Sequence, residues 1–304
     1  MSEIIEHSPR YPVYVISKGR FDCCFTADFL IKDNCKFHLV VEPQEADKYI
    51  ERYGKDKVYI LPFSNLGLGG IPARNWVWEH SILQGYERHW ILDDNIRDIK
   101  RRYKSFRVEC NSRIALKVVE DFTDRYTNIA IAGMNYSMFV ADKIKIKPFY
   151  LNNHVYSCLL INNSLPNRWR GRYNEDTDLC LQVLADGWCT VLTNIFMINK
   201  MQTMTMKGGN ASQLYTGDGR LKMARSLERS WPYVVSVDRR FDRPQHKIRD
   251  DWKKFDTPLI RRTDIDWENL PPIDNYGLSL VQVSEQIKSK YLQDLMFKES
   301  LNNP

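Results

Sequence analysis

Short apolar runs alternate with longer helix-spaced stretches through the first third of the chain. Val13 to Ser17 predicts a buried strand, followed by a turn at Lys18-Gly19-Arg20 and a helix through Phe29 to Ile31. Phe37 to Val41 predicts a second strand ending at Glu42-Pro43. The helix carrying Tyr49 and Ile50 then stops at Gly54, a residue suited to the position after a helix. Val58 to Leu61 predicts a third strand. The glycine loop Leu66 to Gly70 leads to Pro72, at the start of a helix with Trp76, Ile82 and Leu83. Trp90 to Leu92 predicts a fourth strand, which runs into Asp93-Asp94-Asn95. Strand–helix repeats of this kind predict an α/β fold, a mostly parallel central sheet flanked by helices. Ligands of such sheets bind beyond the carboxyl ends of the strands. Ser17 to Arg20, Glu42-Pro43 and Asp93 to Asn95 all fall there.

Farther on, Ile114, Val118, Phe122 and Tyr126 recur at helical spacing, and Ile129 to Met134 and Val155 to Ile161 predict strands. Asp176 to Ala185 predicts a helix closed by Gly187. Met201 to Thr216, rich in Thr, Gly and Asn, reads as a loop. Residues 238–275 are polar and proline-bearing, expected to wrap the surface, and Val283, Ile287, Leu295 and Met296 predict a final amphipathic helix.

At 304 residues the chain can bury a sizeable core. Its apolar and charged contents are those of a soluble globular protein. No apolar stretch approaches the roughly 18 residues of a membrane-spanning helix, and the polar first residues do not read as a secretory signal. Seven cysteines, an odd number with no CxxC pair, fit a reducing cytoplasm and packing roles. The net charge of +6 is unevenly spread. Lys100, Arg101, Arg102, Lys104 and Arg107 form one basic run around Tyr103 and Phe106. Arg168, Arg170 and Arg172 form another around Trp169 and Tyr173. Either run is a solvated charged loop or a surface for phosphates and exposed bases.

The candidate chemistry sits at the strand ends. Asp93, Asp94 and Asn95 offer oxygen ligands suited to Mg²⁺ or Mn²⁺, though an acidic pair after a strand is also commonplace. The loop before Pro72 presents backbone amides but lacks the P-loop lysine and the GxGxxG spacing, and it serves equally as a helix-capping turn. Arg74, one turn into that helix, can reach the same crevice and pair with phosphate. Glu175 and Asp176 open a helix, where carboxylates either cap it or act as a base for an attacking hydroxyl. In Lys207-Gly208-Gly209-Asn210, a phosphate grip or a metal ligand at Asn210 competes with a plain loop. His154 and His246 have no partner at metal spacing and read as ordinary surface or core histidines.

In order, Val13 to Arg20, Ala73-Arg74-Asn75, Asp93-Asp94-Asn95 and Glu175-Asp176 resemble the landmarks of a GT-A glycosyltransferase over roughly the first 190 residues. More narrowly, "SKGR", "IPARNWVWEHS" and "ILDDNIRDI" are similar to the phage and TET-associated glycosyltransferase group. The resemblance implies a GT-A-like, Rossmann-type catalytic domain over residues 1–235, with a C-terminal extension over 236–304 packing on it. It implies transfer of a sugar from a nucleotide-sugar donor, UDP-linked by preference, to a hydroxylated base such as a 5-hydroxymethylpyrimidine in DNA. Ser17, Lys18 and Arg20 would line the nucleotide, Arg74 the diphosphate or sugar, and Asp93 the ribose or metal. Asp94, Asn95 and Asn210 would complete a Mn²⁺ or Mg²⁺ site, which Asn95 in place of an aspartate weakens. Asp176 matches the base of inverting members, with Glu175 beside it. Arg101, Arg102, Lys104, Arg168, Trp169, Arg170 and Arg172 would then face the acceptor, and a phage-encoded protein would act in the host cytoplasm. The rival expectations are a protein or glycan acceptor, and a non-catalytic module that reads modified DNA.

Overall fold

The structure is a computed structural model that describes residues 7–201, 206, 208–209, 219–240, 243–249 and 255–271. In chain order the first elements are β1 (Val13–Ile16), α1 (Phe25–Lys32), β2 (His38–Val41), α2 (Ala46–Tyr53), β3 (Val58–Ile60), α3 (Ile71–Leu83) and β4 (Arg88–Asp93). These match the apolar pattern closely. Gly54 ends α2 at a φ of 92°, and proline occupies the first turn of α3. Next come β5 (Ile96–Tyr103), β6 (Phe106–Glu109), α4 (Ser112–Thr123), β7 (Ile129–Tyr136), β8 (Phe149–Leu151) and β9 (Cys158–Asn162). The chain continues with α5 (Glu175–Ala185), β10 (Cys189–Lys200), α6 (Gly219–Ser230), β11 (Val235–Arg240) and β12 (Arg243–Ile248).

A ten-stranded sheet runs β3-β2-β1-β4-β9-β7-β10-β5-β6, with β8 added against β10. Strands β1, β2, β3, β4, β7 and β10 point one way, and β9, β5 and β8 run against their neighbours. The expected α/β fold with a mostly parallel central sheet is present, mixed toward its C-terminal half. Its central strands are buried on both faces: Tyr14, Ile91, Ile131, Leu159 and Leu192 join Val77, Trp78, Leu179 and Val183 from α3 and α5 in one core. A smaller cluster of Leu181, Leu227, Val234 and Val235, with Trp231 and Ile248 against it, holds α6 and the β11–β12 hairpin to α5.

Two differences from the sequence reading matter. The basic run from Lys100 to Arg107 is not a loop but the β5–β6 hairpin at the sheet edge. Buried Ile96 and Ile99 anchor β5 antiparallel to β10. Residues 189–200, for which the sequence suggests no element, form β10, whose two buried faces leave no alternation to read. The polar stretch from 238 contains most of the β11–β12 hairpin, and the division expected at 235/236 falls inside β11. Met1–Arg262 group as one compact unit and Thr263–Pro304 as another. In the second unit, Asp266 accepts from the backbone amides of Glu268 and Asn269 in a local turn. Most of the expected loop at 201–216 and the expected helix around Val283 to Met296 lie outside the described residues.

Candidate active site

The chain lays β2 and β3 to one side of β1 and β4 to the other, so the sheet has its topological switch between β1 and β4. A cavity of about 550 Å³ opens there, within the range of small-molecule sites. Its walls come from the carboxyl ends of the parallel strands: Ser17, Lys18 and Arg20 after β1, Glu42 after β2, Asp93 to Asn95 at the end of β4, Tyr136 at the end of β7 and Lys200 at the end of β10. The first turn of α5 closes it with Glu175, Asp176 and Thr177.

Asp93 closes β4 and Asp94 begins the turn to β5, and the two serve different partners. Asp94 is buried and accepts from Ser17 Oγ at 2.7 Å and from the Arg20 guanidinium. Ser17 Oγ also meets the Tyr49 hydroxyl at 2.7 Å. Burial pushes the Asp94 carboxyl upward against the pull of Arg20 and Ser17. The turn Lys18 to Arg20 is covered by Gly208 and Gly209. The Gly209 amide donates to the Lys18 carbonyl at 2.8 Å, and a Cβ on Gly208 would strike the Gly19 carbonyl. Only glycine permits that approach, and Gly208 also sits at a φ of 76°.

Asp93 belongs to a second group. Its Oδ1 accepts from Arg74 at 3.0 Å and its Oδ2 from Lys200 Nζ at 2.6 Å; Lys200 also donates to Ser157 Oγ at 2.7 Å. Arg74 lies 3.8 Å from both Glu175 and Asp176, with its guanidinium 4.6 Å from the Trp169 ring. Burial alone would raise the Asp93 carboxyl, but Lys200 and Arg74 outweigh it and hold the group well below the usual carboxylate range. Burial likewise opposes charge on Lys200, and Asp93 with Tyr136 overcomes it. Asp176 goes the other way. Burial raises it to about 7, and Arg74 opposes this only in part.

Several polar atoms in this group have no hydrogen-bond partner: Arg74 Nε and Nη1, Asp176 Oδ1 and Asn95 Oδ1. Arg74 is 4% exposed. Buried donors left unpaired cost about 1–3 kcal/mol each, more when charged. The far wall is aromatic, with Tyr136 and Tyr156 at 4.3 Å between ring centroids and Tyr136 stacked on Phe139. His154 meets Thr177 Oγ1 at 3.1 Å, and His246 of β12 lines the same cavity. Burial lowers both histidines, His154 to about 3 with His246 adding to the effect, so both are neutral near pH 7.

Of the residues singled out from the sequence, Ser17, Lys18, Arg20, Arg74, Asp93, Asp94, Asn95, Glu175 and Asp176 converge on this one cavity. Lys18 is tied to Glu42 at 2.8 Å and Asn65 at 3.0 Å on its rim. Asn210 lies outside the described residues. The basic runs do not line the cavity. Arg102 donates to the carbonyls of Ala141 and Ile144, while Arg101 and Lys104 lie against the Tyr103 ring. Arg168 is bonded to Glu79 and lies over Trp78, and Arg170 pairs with Asp178. Arg172 stays exposed beside Tyr173. Trp169 corrects the expectation of an acceptor-facing ring: it is 2% exposed and packs in the core beneath Arg74. Lys200, Tyr136 and the two histidines are the site residues that sequence reasoning missed. Lys200 carried a usable signal, a lone cation closing a long apolar run at a strand's carboxyl end.

The acidic triplet does not fit a divalent ion as it is arranged. Both oxygens of Asp93 and both of Asp94 are taken by Arg74, Lys200, Ser17 and Arg20, leaving Asn95 Oδ1 as a single neutral ligand atom. Among the described residues, no group of three His, Cys, Asp or Glu side chains is placed to hold a metal.

Fold and site together define an α/β protein of GT-A-like architecture, with a charged ligand crevice at the switch point of its sheet. The chain belongs to the TET-associated glycosyltransferase family, whose profile matches residues 11–209. That span holds the cavity from β1 to Gly209, whereas α6 and the β11–β12 hairpin with His246 lie beyond it. Membership implies a glycosyltransferase using a nucleotide-sugar donor. No curated protein matches the chain, and no helix among the described residues is long and apolar enough to cross a membrane.

Proposed function

We propose that this protein transfers a sugar from a UDP-sugar to the hydroxyl of a hydroxymethylated pyrimidine in DNA, with Asp176 as base. The observation that carries the reading is the buried Arg74 guanidinium, two of whose nitrogens make no hydrogen bond and only 3.8 Å ion pairs, to Glu175 and to the Asp176 Oδ1 that likewise accepts none, in one cavity. Buried polar groups are ordinarily hydrogen-bonded, so this loosely paired group keeps hydrogen-bonding capacity for a ligand. In the proposed complex, Ser17, Arg20 and Asp94 hold the nucleoside end. Arg74 and Lys200 face the diphosphate, whose charge grows as the bond to the sugar breaks. The acceptor oxygen attacks the anomeric carbon, its proton passes to Asp176, and the sugar–phosphate bond breaks with its electron pair leaving on UDP. The result is inversion at that carbon. A carboxyl raised to about 7 is well placed to take that proton near neutral pH. Because the acidic pair is already matched by protein cations, no step is assigned to Mn²⁺ or Mg²⁺.

The test is intact-mass analysis of a duplex containing 5-hydroxymethylcytosine after incubation with the protein and a panel of nucleotide sugars. A gain of one sugar residue from one donor supports the reading. UDP release without a DNA mass gain moves the acceptor to a protein or glycan, and no UDP release from any donor refutes the reading.

A further inference from the structure

The segment after β7 puts apolar side chains where water would ordinarily exclude them. Ser137–Phe139 form a single 3-10 turn directly beyond Tyr136. Met138 is 71% exposed and Phe139 55%, and Phe139 forms part of the wall of the cavity that holds Asp176. This exposure does not come from a slack loop. Arg107 donates to the Ser137 carbonyl at 3.0 Å and grips Asp142 with its backbone amide and its guanidinium. Arg102 donates to the carbonyls of Ala141 and Ile144, Val140 is fully buried, and the Lys143 amide reaches the Ser105 carbonyl at 2.9 Å. Two arginines of the basic run therefore act as a mount that fixes the turn, and the Phe139 ring is braced by Tyr136 at 5.9 Å and 23°.

The two segments are strongly cationic. Across 97–109 and 137–147, Arg97, Lys100, Arg101, Lys104, Lys143, Lys145 and Lys147 join the two mounting arginines, against Asp98, Glu109 and Asp142. Lys143 and Lys145 are exposed on the same loop as Met138 and Phe139. An apolar ring on a rigid mount, on a loop with exposed lysines and at the mouth of a cavity with a base inside, matches a polyanion that offers flat rings. A neutral peptide or glycan would leave those cations unmatched. A base inside a duplex must leave the stack to be modified, and apolar side chains commonly enter the gap.

Building on the DNA-acceptor reading above, we propose that Met138 and Phe139 are the acceptor wedge: Phe139 stacks on the extruded base at the cavity mouth, and Met138 fills the space the base leaves. The two side chains act in positioning the acceptor, not in the chemical step.

The experiment compares wild type with Phe139→Ala, Phe139→Trp and Met138→Ala. Binding and transfer are measured on a 5-hydroxymethylcytosine duplex, on the matching single strand and on the free 5-hydroxymethyl nucleoside, with UDP affinity measured in parallel. Loss of one stacking contact is expected to lower kcat/KM on DNA by about 5- to 150-fold, Phe139→Trp to restore most of it, and UDP affinity to stay unchanged. Met138→Ala should impair the duplex more than the single strand, because only the duplex leaves a gap to fill. Wild-type kcat/KM in Phe139→Ala, or a loss of UDP affinity as large as the loss on DNA, would overturn the wedge. A wild-type protein that releases UDP but neither binds nor modifies DNA would overturn the acceptor reading itself, a separate result.

Discussion

Replacing Asp176 with asparagine should move activity and stability in opposite directions. The side chain is buried beside Arg74, and burial holds its carboxyl at about 7 instead of the ordinary 3.8. Keeping it ionised in the folded protein at alkaline pH therefore costs on the order of 2–4 kcal/mol. The direction of the shift sets the sign. With the folded value raised above the unfolded one, the wild type is most stable while the group is protonated in both states, below about pH 4. It loses that stability as pH rises through about 7. Asparagine cannot ionise, so Asp176→Asn should match the wild type at pH 4 and exceed it at pH 8. Its turnover should fall by about 10²- to 10⁴-fold, the usual contribution of a general base, with donor affinity retained because the proton moves only in the chemical step. Wild-type kcat should fall about tenfold per pH unit below its inflection near 7 and level off above it. The assay pairs urea denaturation from pH 4 to 9 with steady-state transfer over the same range. A variant that turns over within threefold of wild type refutes the base assignment, and one no more stable than wild type at pH 8 refutes the account of the buried charge.

Two further outcomes test the cations of the site. Lys200→Met leaves Asp93 with Arg74 alone and removes a charged donor from the diphosphate side; UDP-sugar affinity should weaken about 10-fold or more, and calorimetry giving an unchanged Kd would remove Lys200 from the donor site. Stripping divalent ions with a chelator should leave donor affinity and transfer within about threefold, since Arg20 and Lys200 already occupy the Asp94 and Asp93 oxygens. Activity that vanishes in chelator and returns with Mn²⁺ would refute that arrangement.

The first four strands, three of the helices and the acidic end of β4 were legible in the sequence because apolar period, proline and glycine agreed at each. Hydrophobic patterning reports burial on one face, and it fails where that premise fails. β10 is buried on both faces through Val191, Leu192, Met197 and Ile198, so its sequence carries no alternation. β5 carries Arg97, Lys100, Arg101 and Arg102 on a sheet edge, and two isoleucines are too few to outweigh them. The same blindness affected the site. Asp93, Asp94, Arg74 and Asp176 stood out as polar residues in recognisable local settings. His246 becomes a site residue only when the β11–β12 hairpin brings it within reach, whereas Lys200 left a trace as the lone cation closing an apolar run. Trp169 failed in the opposite sense, since three arginines around an aromatic look like a binding loop until Arg168 and Arg170 are found paired with Glu79 and Asp178.

Asp93 and Asp94 divide the cavity between them, one at the end of β4 and the other in the turn that follows it. The two carboxylates are held by different partners within one cavity. Asp94 turns toward the β1 turn and its Ser17–Arg20 group, and Asp93 toward the group of Arg74, Lys200 and the first turn of α5. Each carboxylate thereby fixes the cations on its own side. Arg74 is held by Asp93, while its Nε and Nη1 make no hydrogen bond and only 3.8 Å ion pairs to Glu175 and Asp176. On the proposed reading, the nucleoside end of the donor meets the first group and the reacting carbon the second. Substitutions of Asp94 should then be felt mainly in donor binding and those of Asp93 mainly in turnover. Asp94→Asn and Asp93→Asn measured side by side separate KM from kcat at a single strand end. Equal effects of both on the two constants would place the pair on one ligand group, against the separate partners of the two carboxylates.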